Sequence, residues 1–231
     1  MIKTITKTPE KIEFVTDMSI SLANALRRSL YEVPVLAIDE VEIFRNDSAL
    51  YDEIVAHRIG LIPLKNQKLK EGEVVQYKLN VEGREVVSQD FGKEVVYNDM
   101  PIVLLNGEQG LEVIAKARVG KGKEHAKFIP GLVHYRYLTK VTISKDGEKH
   151  KELAELYPAI FEFDGKLKLK NEYQCDLDEE DVKEFKGISV EPTGNLVFTV
   201  ESWGQMKAEE IFNELVKALE GNLKSLAKEL K

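Results

Sequence analysis

The chain has 231 residues, of which 43% are hydrophobic and 32% are charged, and its formal net charge at pH 7 is −7. This apolar share is sufficient for a packed core, while the acidic balance disfavours a general attraction to nucleic acid. The single cysteine, Cys175, excludes an internal disulfide and a cysteine-rich zinc site. Without a long apolar run or a signal-like N-terminus, we expect a cytoplasmic protein that has no membrane contact.

The first 33 residues predict a β-hairpin followed by a helix. Two β-rich segments, 2–7 and 12–17, flank a turn that contains Pro9. Ser19 is a suitable N-cap for a helix that ends near Glu32, because Pro34 disfavours helical geometry in the residue before it. Leucines spaced by four residues give this helix one apolar stripe: Leu22, Leu26 and Leu30. By this pattern alone, we expect the adjacent Arg27 and Arg28 to be solvent-exposed residues beside the apolar stripe of a core helix.

The next two elements are a strand and a second helix. In the strand Val35–Arg45 the apolar positions change parity near Asp39 and Glu40, which predicts a bulge or a crossing between two packing environments. Helical spacing then runs from Ala49 to Ile59. His57 and Arg58 lie in its last turn, where the helix dipole favours positive charge.

Residues 65–147 are predicted to be mainly β-structure. Three segments alternate apolar and polar residues, and turns rich in Gly, Asn and Asp separate them: 75–81, 111–119 and 133–143. This pattern predicts a small antiparallel sheet inserted between two parts of another domain. The segment 118–127 contains four basic side chains and two glycines, but Glu124 follows Gly122-Lys123 where a phosphate-binding loop requires Ser or Thr. An exposed hairpin tip is therefore the simpler interpretation.

The remainder of the chain returns to helical patterns. We expect a short helix over 153–161, broken at Pro158, and an acidic helix over 178–185. A calcium loop beginning at Asp176 is excluded because the required glycine is missing. A strand over 196–200 ends at Trp203-Gly204, and a long helix follows over 205–231. The stripe of this helix comprises Phe212, Leu215, Leu219, Leu223, Leu226 and Leu230.

The sequence offers no recognisable active site. The four histidines lack the HExxH spacing of a zinc protease, and no serine lies in a GxSxG elbow. Phe163-Asp164-Gly165 supplies one aspartate, whereas metal-dependent phosphoryl transfer needs several carboxylates. We predict that the chain is not catalytic by itself.

Four segments resemble one known family. They are NALRR at 24–28, AIDEVEI at 37–43, DEIVAHRIGLIPL at 52–64 and GKGKEHAKF at 120–128. Together they closely resemble the D subunit of archaeal RNA polymerase, the counterpart of the third-largest subunit of eukaryotic RNA polymerase II and of the N-terminal domain of the bacterial alpha subunit. The resemblance spans essentially the whole chain. With its high content of charged residues, the sequence suits a heat-adapted archaeon.

The resemblance implies an α+β fold with a discontinuous dimerisation domain, made of antiparallel strands and two packed helices, and an inserted, mainly antiparallel β domain. The expected divisions are 1–45 and 188–231 for the dimerisation domain and 46–150 for the insert. In many relatives the region equivalent to 151–187 is a ferredoxin-like domain that binds an iron–sulfur cluster. Such a cluster normally needs four thiolates, so with Cys175 alone we expect a shortened acidic region without a cofactor.

The resemblance also implies a function in a complex. Proteins of this family are non-catalytic assembly subunits of DNA-directed RNA polymerase, a nucleotidyltransferase. They form a heterodimer with subunit L, and this heterodimer nucleates docking of the small zinc-binding subunits N and P and of the second-largest subunit. DNA would be contacted only indirectly. The predicted heterodimer interface is Leu22, Leu26, Leu30, Phe212, Leu215, Leu219, Leu223 and Leu226. The predicted large-subunit contacts are Asn24, Arg27, Arg28, His57, Arg58, Lys121, Lys123 and Lys127.

The main alternative is a free-standing nucleic-acid-binding protein that uses the basic loop 118–127. Its affinity would fall steeply with salt concentration.

Overall fold

The computed structural model describes residues 2–67, 69 and 72–230. In chain order the strands are β1 (Ile2–Lys7), β2 (Lys11–Thr16), β3 (Pro34–Asn46), β4 (Val75–Glu82), β5 (Glu85–Val87), β6 (Pro101–Leu104), β7 (Gly110–Lys121), β8 (Gly131–Ile143), β9 (Phe161–Phe163), β10 (Leu167–Leu169) and β11 (Ile188–Ser202). The α-helices are α1 (Ile20–Ser29), α2 (Asp52–Gly60), α3 (Lys151–Leu156) and α4 (Ala208–Glu229). The predicted α+β class is confirmed.

The chain divides into two compact units. The first unit contains the described residues up to Asn24 together with Val133–Thr199. The second unit contains Ala25–Leu132 and the described residues from Val200 onward. The division falls within α1, β8 and β11.

A four-stranded sheet with the order β1-β2-β11-β8 forms the base of the first unit. The predicted hairpin between β1 and β2 is confirmed, and its turn is held by the Thr8 N–H, which donates to the Lys11 carbonyl at 2.8 Å. Phe198 of β11 stacks with Phe14 of β2 and with Tyr135 of β8, at centroid distances of 5.5 and 6.5 Å. These aromatic pairs pack one face of the sheet.

A second small core in the first unit contains α3 and the β9–β10 hairpin. Leu153, Phe161 and Cys175 are buried there, together with Val190 of β11. The predicted helix over 153–161 ends earlier, at Leu156, since Pro158 cannot continue it.

The predicted acidic helix over 178–185 is wrong, because this segment forms turns instead. The Asp178 carboxylate accepts hydrogen bonds from the N–H groups of Glu180 and Asp181, at 2.8 and 3.2 Å. Aspartate side chains compete in this way with helical hydrogen bonding. The local pattern of charges therefore did not predict the backbone conformation.

The second unit is organised around the three-stranded antiparallel sheet β3-β7-β4. Of the two arrangements predicted for β3, a bulge or a crossing, the structure shows the bulge. Ile38 pairs with Ala117 and Glu40 pairs with Lys116, which leaves Asp39 as the extra residue. A bulge changes the parity of the residues that follow it. As a result Leu36 and Ile38 before the bulge, and Val41 and Ile43 after it, pack against the same core.

Helical segments complete the second unit, and one of them packs on this sheet. Helix α2 packs on β3 and buries Val55 and Ile59. The Ser19 N-cap of α1 is confirmed, since its hydroxyl accepts from the Leu22 N–H at 3.3 Å. After α1, a turn of 3₁₀-helix over Leu30–Glu32 contacts α4. Helix α4 buries Ala208, Ile211 and Leu215 in its first two turns.

The grouping of strands differs from the sequence prediction in one respect. The segment 133–143 is a strand as predicted, but β8 lies in the four-stranded sheet of the first unit and not beside β4 and β7. The domain divisions at 45, 150 and 187 stay a prediction. Alternation of apolar residues shows that a segment has one buried face, but it does not specify which strand lies next to it.

Candidate interaction surfaces

The predicted apolar interface is partly occupied by the chain itself. Leu26, Leu30 and Leu215 are buried, so they have little surface left for a partner. Phe212 and Leu219 are half-buried. Leu22 is exposed, and at the other end of the predicted set Leu223 and Leu226 are 57% and 54% exposed. The available apolar surface on α4 is therefore its C-terminal half, and Leu230, which directly follows the helix, is also exposed.

The arginines of α1 lie in its last turn, where they complement the negative end of the helix dipole. Arg28 is exposed, and within the described residues its side chain has no hydrogen bond or ion pair. Arg27 and Asn24 are half-buried. Of the two arginines, Arg28 is thus the one whose whole guanidinium is available to a carboxylate of another molecule.

The two basic residues at the end of α2 differ in their surroundings. The Arg58 Nη1 donates to the Ile102 carbonyl of β6 at 2.8 Å, which joins α2 to the β5–β6 ribbon. His57 is exposed. It lines a cavity of about 180 Å³ together with Lys127, so the structure brings these two predicted contact residues together from segments that are far apart in sequence.

Acidic side chains neutralise the basic loop 118–127. Lys127 and Arg118 contact the Asp39 carboxylate with Nζ and Nε, each at 2.6 Å. The Arg118 Nη1 also lies 2.8 Å from Glu124. Lys121 and Lys123 both pair with Glu32, which follows α1. These pairs leave little uncompensated positive charge for a phosphate backbone, so the loop does not favour the nucleic-acid alternative.

Asp39, the bulged residue of β3, is central to this network. Burial by itself would raise the pKa of its carboxyl group, but hydrogen bonds from Lys127 and Arg118 lower this pKa below its ordinary value of 3.8. The Glu124 pKa is also lowered, first by the hydrogen bond from Arg118 and then by the backbone N–H of Lys121. Asp39 and Glu124 therefore remain ionised at neutral pH and hold the loop against β3.

Sequence reasoning missed the acidic partners of the loop and an exposed apolar patch. Leu61, Tyr97 and Trp203 are each nearly half exposed and line a common cavity of about 260 Å³ with Met100. Aromatic residues and Met are enriched at protein interfaces. No sequence signal joins these residues, because they come from three separate segments and do not share a helical or strand period.

In the described part of the chain, no three His, Cys, Asp or Glu side chains lie close enough to hold a metal ion. None of the described helices has the length and apolar character needed to cross a membrane.

Comparison with known proteins identifies the family. Residues 14–223 match the family described as the RNA polymerase Rpb3/Rpb11 dimerisation domain. DNA-directed RNA polymerase subunit Rpo3 of Thermococcus kodakarensis is 39% identical over 241 residues, which cover 94% of this chain and 92% of the relative. The chain belongs to the Rpo3 family of archaeal RNA polymerase subunits.

Other members of the Rpo3 family show the same extent of similarity. Rpo3 of Archaeoglobus fulgidus is 33% identical, with 94% of this chain and 93% of the relative covered. Rpo3 of Methanocaldococcus jannaschii is 32% identical, with 97% and 93% covered. The match to the dimerisation domain includes all of α1 and extends along α4 to Leu223. Rpo3 is the archaeal D subunit, so the resemblance found in the sequence is confirmed.

Proposed function

We propose that the chain is a non-catalytic assembly subunit of a cytoplasmic archaeal DNA-directed RNA polymerase and forms a heterodimer with subunit L. Membership of the Rpb3/Rpb11 dimerisation family is the observation that carries this proposal. The exposed leucines in the C-terminal half of α4 support it, because apolar side chains at this spacing form a helix-packing stripe. Obligate protein–protein interfaces are also rich in apolar side chains. The polymerase, not this chain, would supply the active site and the contact with DNA.

The exposed stripe of α4 defines the first test. Leu226→Asp should weaken the heterodimer with subunit L by at least about 100-fold, since it would place a carboxylate in an apolar interface. Ser225→Asp is the matched control: it adds the same charge about 100° away around the helix. Both variants would be co-expressed with subunit L, and the complexes measured by size-exclusion chromatography with light scattering. Equal heterodimer yields from the two variants would contradict the proposed interface.

We further propose that the heterodimer then docks the small zinc-binding subunits N and P and the second-largest subunit. Arg28 is the strongest of the predicted large-subunit contacts, because it is exposed and has no partner among the described residues. The cavity that His57 and Lys127 share, and the exposed patch of Leu61, Tyr97 and Trp203, provide further surface on the second unit. Asn24, Arg27, Arg58, Lys121 and Lys123 stay as predicted contacts.

Arg28→Ala should leave the heterodimer intact and weaken capture of the second-largest subunit about ten-fold or more in a pull-down, because charge-assisted hydrogen bonds contribute roughly 1.5–3 kcal/mol. Arg28→Lys tests whether a bidentate guanidinium is needed. Lys78→Ala removes a positive charge from another exposed position of the second unit and serves as the control. If Arg28→Ala abolished the heterodimer itself, Arg28 would be needed for binding subunit L, and its assignment to the second-largest subunit would be wrong.

A further inference from the structure

A cavity of about 620 Å³ opens in the second unit beside the first turns of α4. One part of its wall is apolar and comes from Pro34, Leu69, Val119 and Met206. The other part is polar and comes mainly from Gln205, Glu210 and Glu214. None of the described lining residues carries a positive charge. The cavity therefore joins an apolar surface to two carboxylates.

The polar wall has hydrogen-bond acceptors that lack donors. Gln205 is only 8% exposed, yet its buried Oε1 has no hydrogen-bond partner among the described residues. Glu210 uses one oxygen to accept from the Lys207 N–H at 3.1 Å, and Glu214 uses one to bind Lys217 at 2.7 Å. Their second oxygens have no partner in the described part of the chain. A buried acceptor without a donor is unfavourable, so the Gln205 Oε1 favours a donor from outside. The Glu210 carboxylate is exposed and the Glu214 carboxylate is half-buried, so both are accessible to a cation that enters the cavity.

Hydrogen bonds fix the position of the polar wall. The Asn66 side chain accepts from the Leu36 N–H at 3.0 Å and donates to the Pro34 carbonyl at 3.3 Å. Its backbone N–H donates to the Gln205 carbonyl at 2.8 Å. Asn66 thus joins the start of β3 to the segment that leads into α4. The backbone of Gln205 beside the cavity is therefore held in place before any ligand binds, which lowers the entropy cost of binding.

We propose that this cavity receives a lysine or arginine side chain from a protein that binds this face of the second unit. The apolar wall would contact the aliphatic stem, as long basic side chains pack their methylene groups on apolar surface. The ammonium or guanidinium would donate to Gln205 and to the free oxygens of Glu210 and Glu214. That the protein is another polymerase subunit rests on the proposed function.

The cavity is separate from the stripe assigned to subunit L. Glu214 and Leu223 are nine residues apart on α4, which places them about 180° apart around the helix. The occupant of the cavity therefore binds a different face of α4 from the partner that covers the leucines.

The chemistry of the cavity can be tested on the full chain with two probes of equal shape. Butylguanidinium should bind, as measured by isothermal titration calorimetry at low ionic strength, and the uncharged butylurea should bind at least about ten-fold more weakly. Glu210→Gln/Glu214→Gln should remove this preference. Glu220→Gln/Glu229→Gln, the same change of charge on α4 outside the cavity, should preserve it. Equal binding of both probes, binding of neither, or the same loss in both double variants would overturn the proposal. A preference for Mg²⁺ over butylguanidinium would also overturn it.

The source of the basic side chain is tested by photo-cross-linking. Polymerase would be reconstituted with p-benzoylphenylalanine in place of Met206, and cross-linked peptides identified by mass spectrometry. A cross-link to another subunit beside a lysine or arginine, reduced several-fold by Glu210→Gln/Glu214→Gln, is the expected result. Cross-links only within this chain, for example to its own lysines at 68 and 70, or none in an assembled polymerase, would overturn the proposal. Failure of the wild-type chain to assemble would instead count against the proposed function, and the probe titration would still decide the chemistry of the cavity.

Discussion

Asp39 shows how one residue connects the fold to the basic loop. It is the extra residue of the β3 bulge, and its carboxylate binds both Arg118 and Lys127. The Lys127 side chain is only 13% exposed, and its ammonium contacts the Asp39 carboxylate at 2.6 Å. The change of parity in the sequence predicted a bulge or a crossing, but it could not reveal the ion pairs, since the partners are 79 and 88 positions further along the chain.

Asp39→Asn should therefore lower the free energy of unfolding by about 1–3 kcal/mol at pH 7, because it leaves Lys127 without its carboxylate and removes one of the two carboxylates that pair with Arg118. The pKa of Asp39 is depressed in the folded protein, so its contribution to stability is present above the ordinary value of 3.8 and is lost as the pH falls through the depressed value. The difference from the wild type, measured by urea unfolding, should narrow below pH 3.8. Glu42→Gln, at a 51% exposed side chain paired with Lys116, should cost less than about 1 kcal/mol. A difference that did not depend on pH would contradict this role of Asp39.

At the scale of elements, α4 has one apolar stripe with two different environments. Its first turns bury Ile211 and Leu215 in the second unit, whereas Leu223 and Leu226 are exposed. The helical period is the same along the whole stripe, which is why the sequence predicted the helix but not the point at which burial ends. Gly221 lies between the two parts, where a glycine lowers helix stability.

Gly221→Ala should stabilise the protein by about 0.5–1 kcal/mol, since an added Cβ would have no other described group within 4 Å. Gly120→Ala in β7 is the contrasting variant: its Cβ would lie 2.7 Å from the Phe128 ring and should destabilise by about 1–3 kcal/mol. Thermal unfolding measures whether the first variant is stabilised and the second destabilised relative to the wild type. Because Gly221 lies on the side of α4 away from Leu223, the alanine should leave the heterodimer with subunit L unchanged. A weaker heterodimer would show that the partner approaches this side of the helix.

At the scale of the whole molecule, the prediction concerns the region 151–187, which has Cys175 as its single thiol. Cys175 is fully buried in a core with Leu153 and Phe161. We therefore propose a packing role for it and no iron–sulfur cluster, which normally needs four thiolates. Protein purified without oxygen should lack the visible absorbance and the iron content of such a cluster, with a four-cysteine relative purified in parallel as the control. Stoichiometric iron and sulfide would contradict the proposal.

The sequence by itself determined the family, the α+β class, the N-terminal hairpin, the cap at Ser19, the change of parity near Asp39 and the two leucine stripes. The family and the class follow from the resemblance of four segments, whereas the other features depend on local chemistry or on a regular period, which neighbouring residues specify together. Only the tertiary structure decided that β8 joins the sheet of the first unit, that the acidic segment 178–185 forms turns, and that Leu26, Leu30 and Leu215 are covered within the chain. These outcomes depend on which distant surfaces meet, because an apolar stripe requires burial without specifying what covers it.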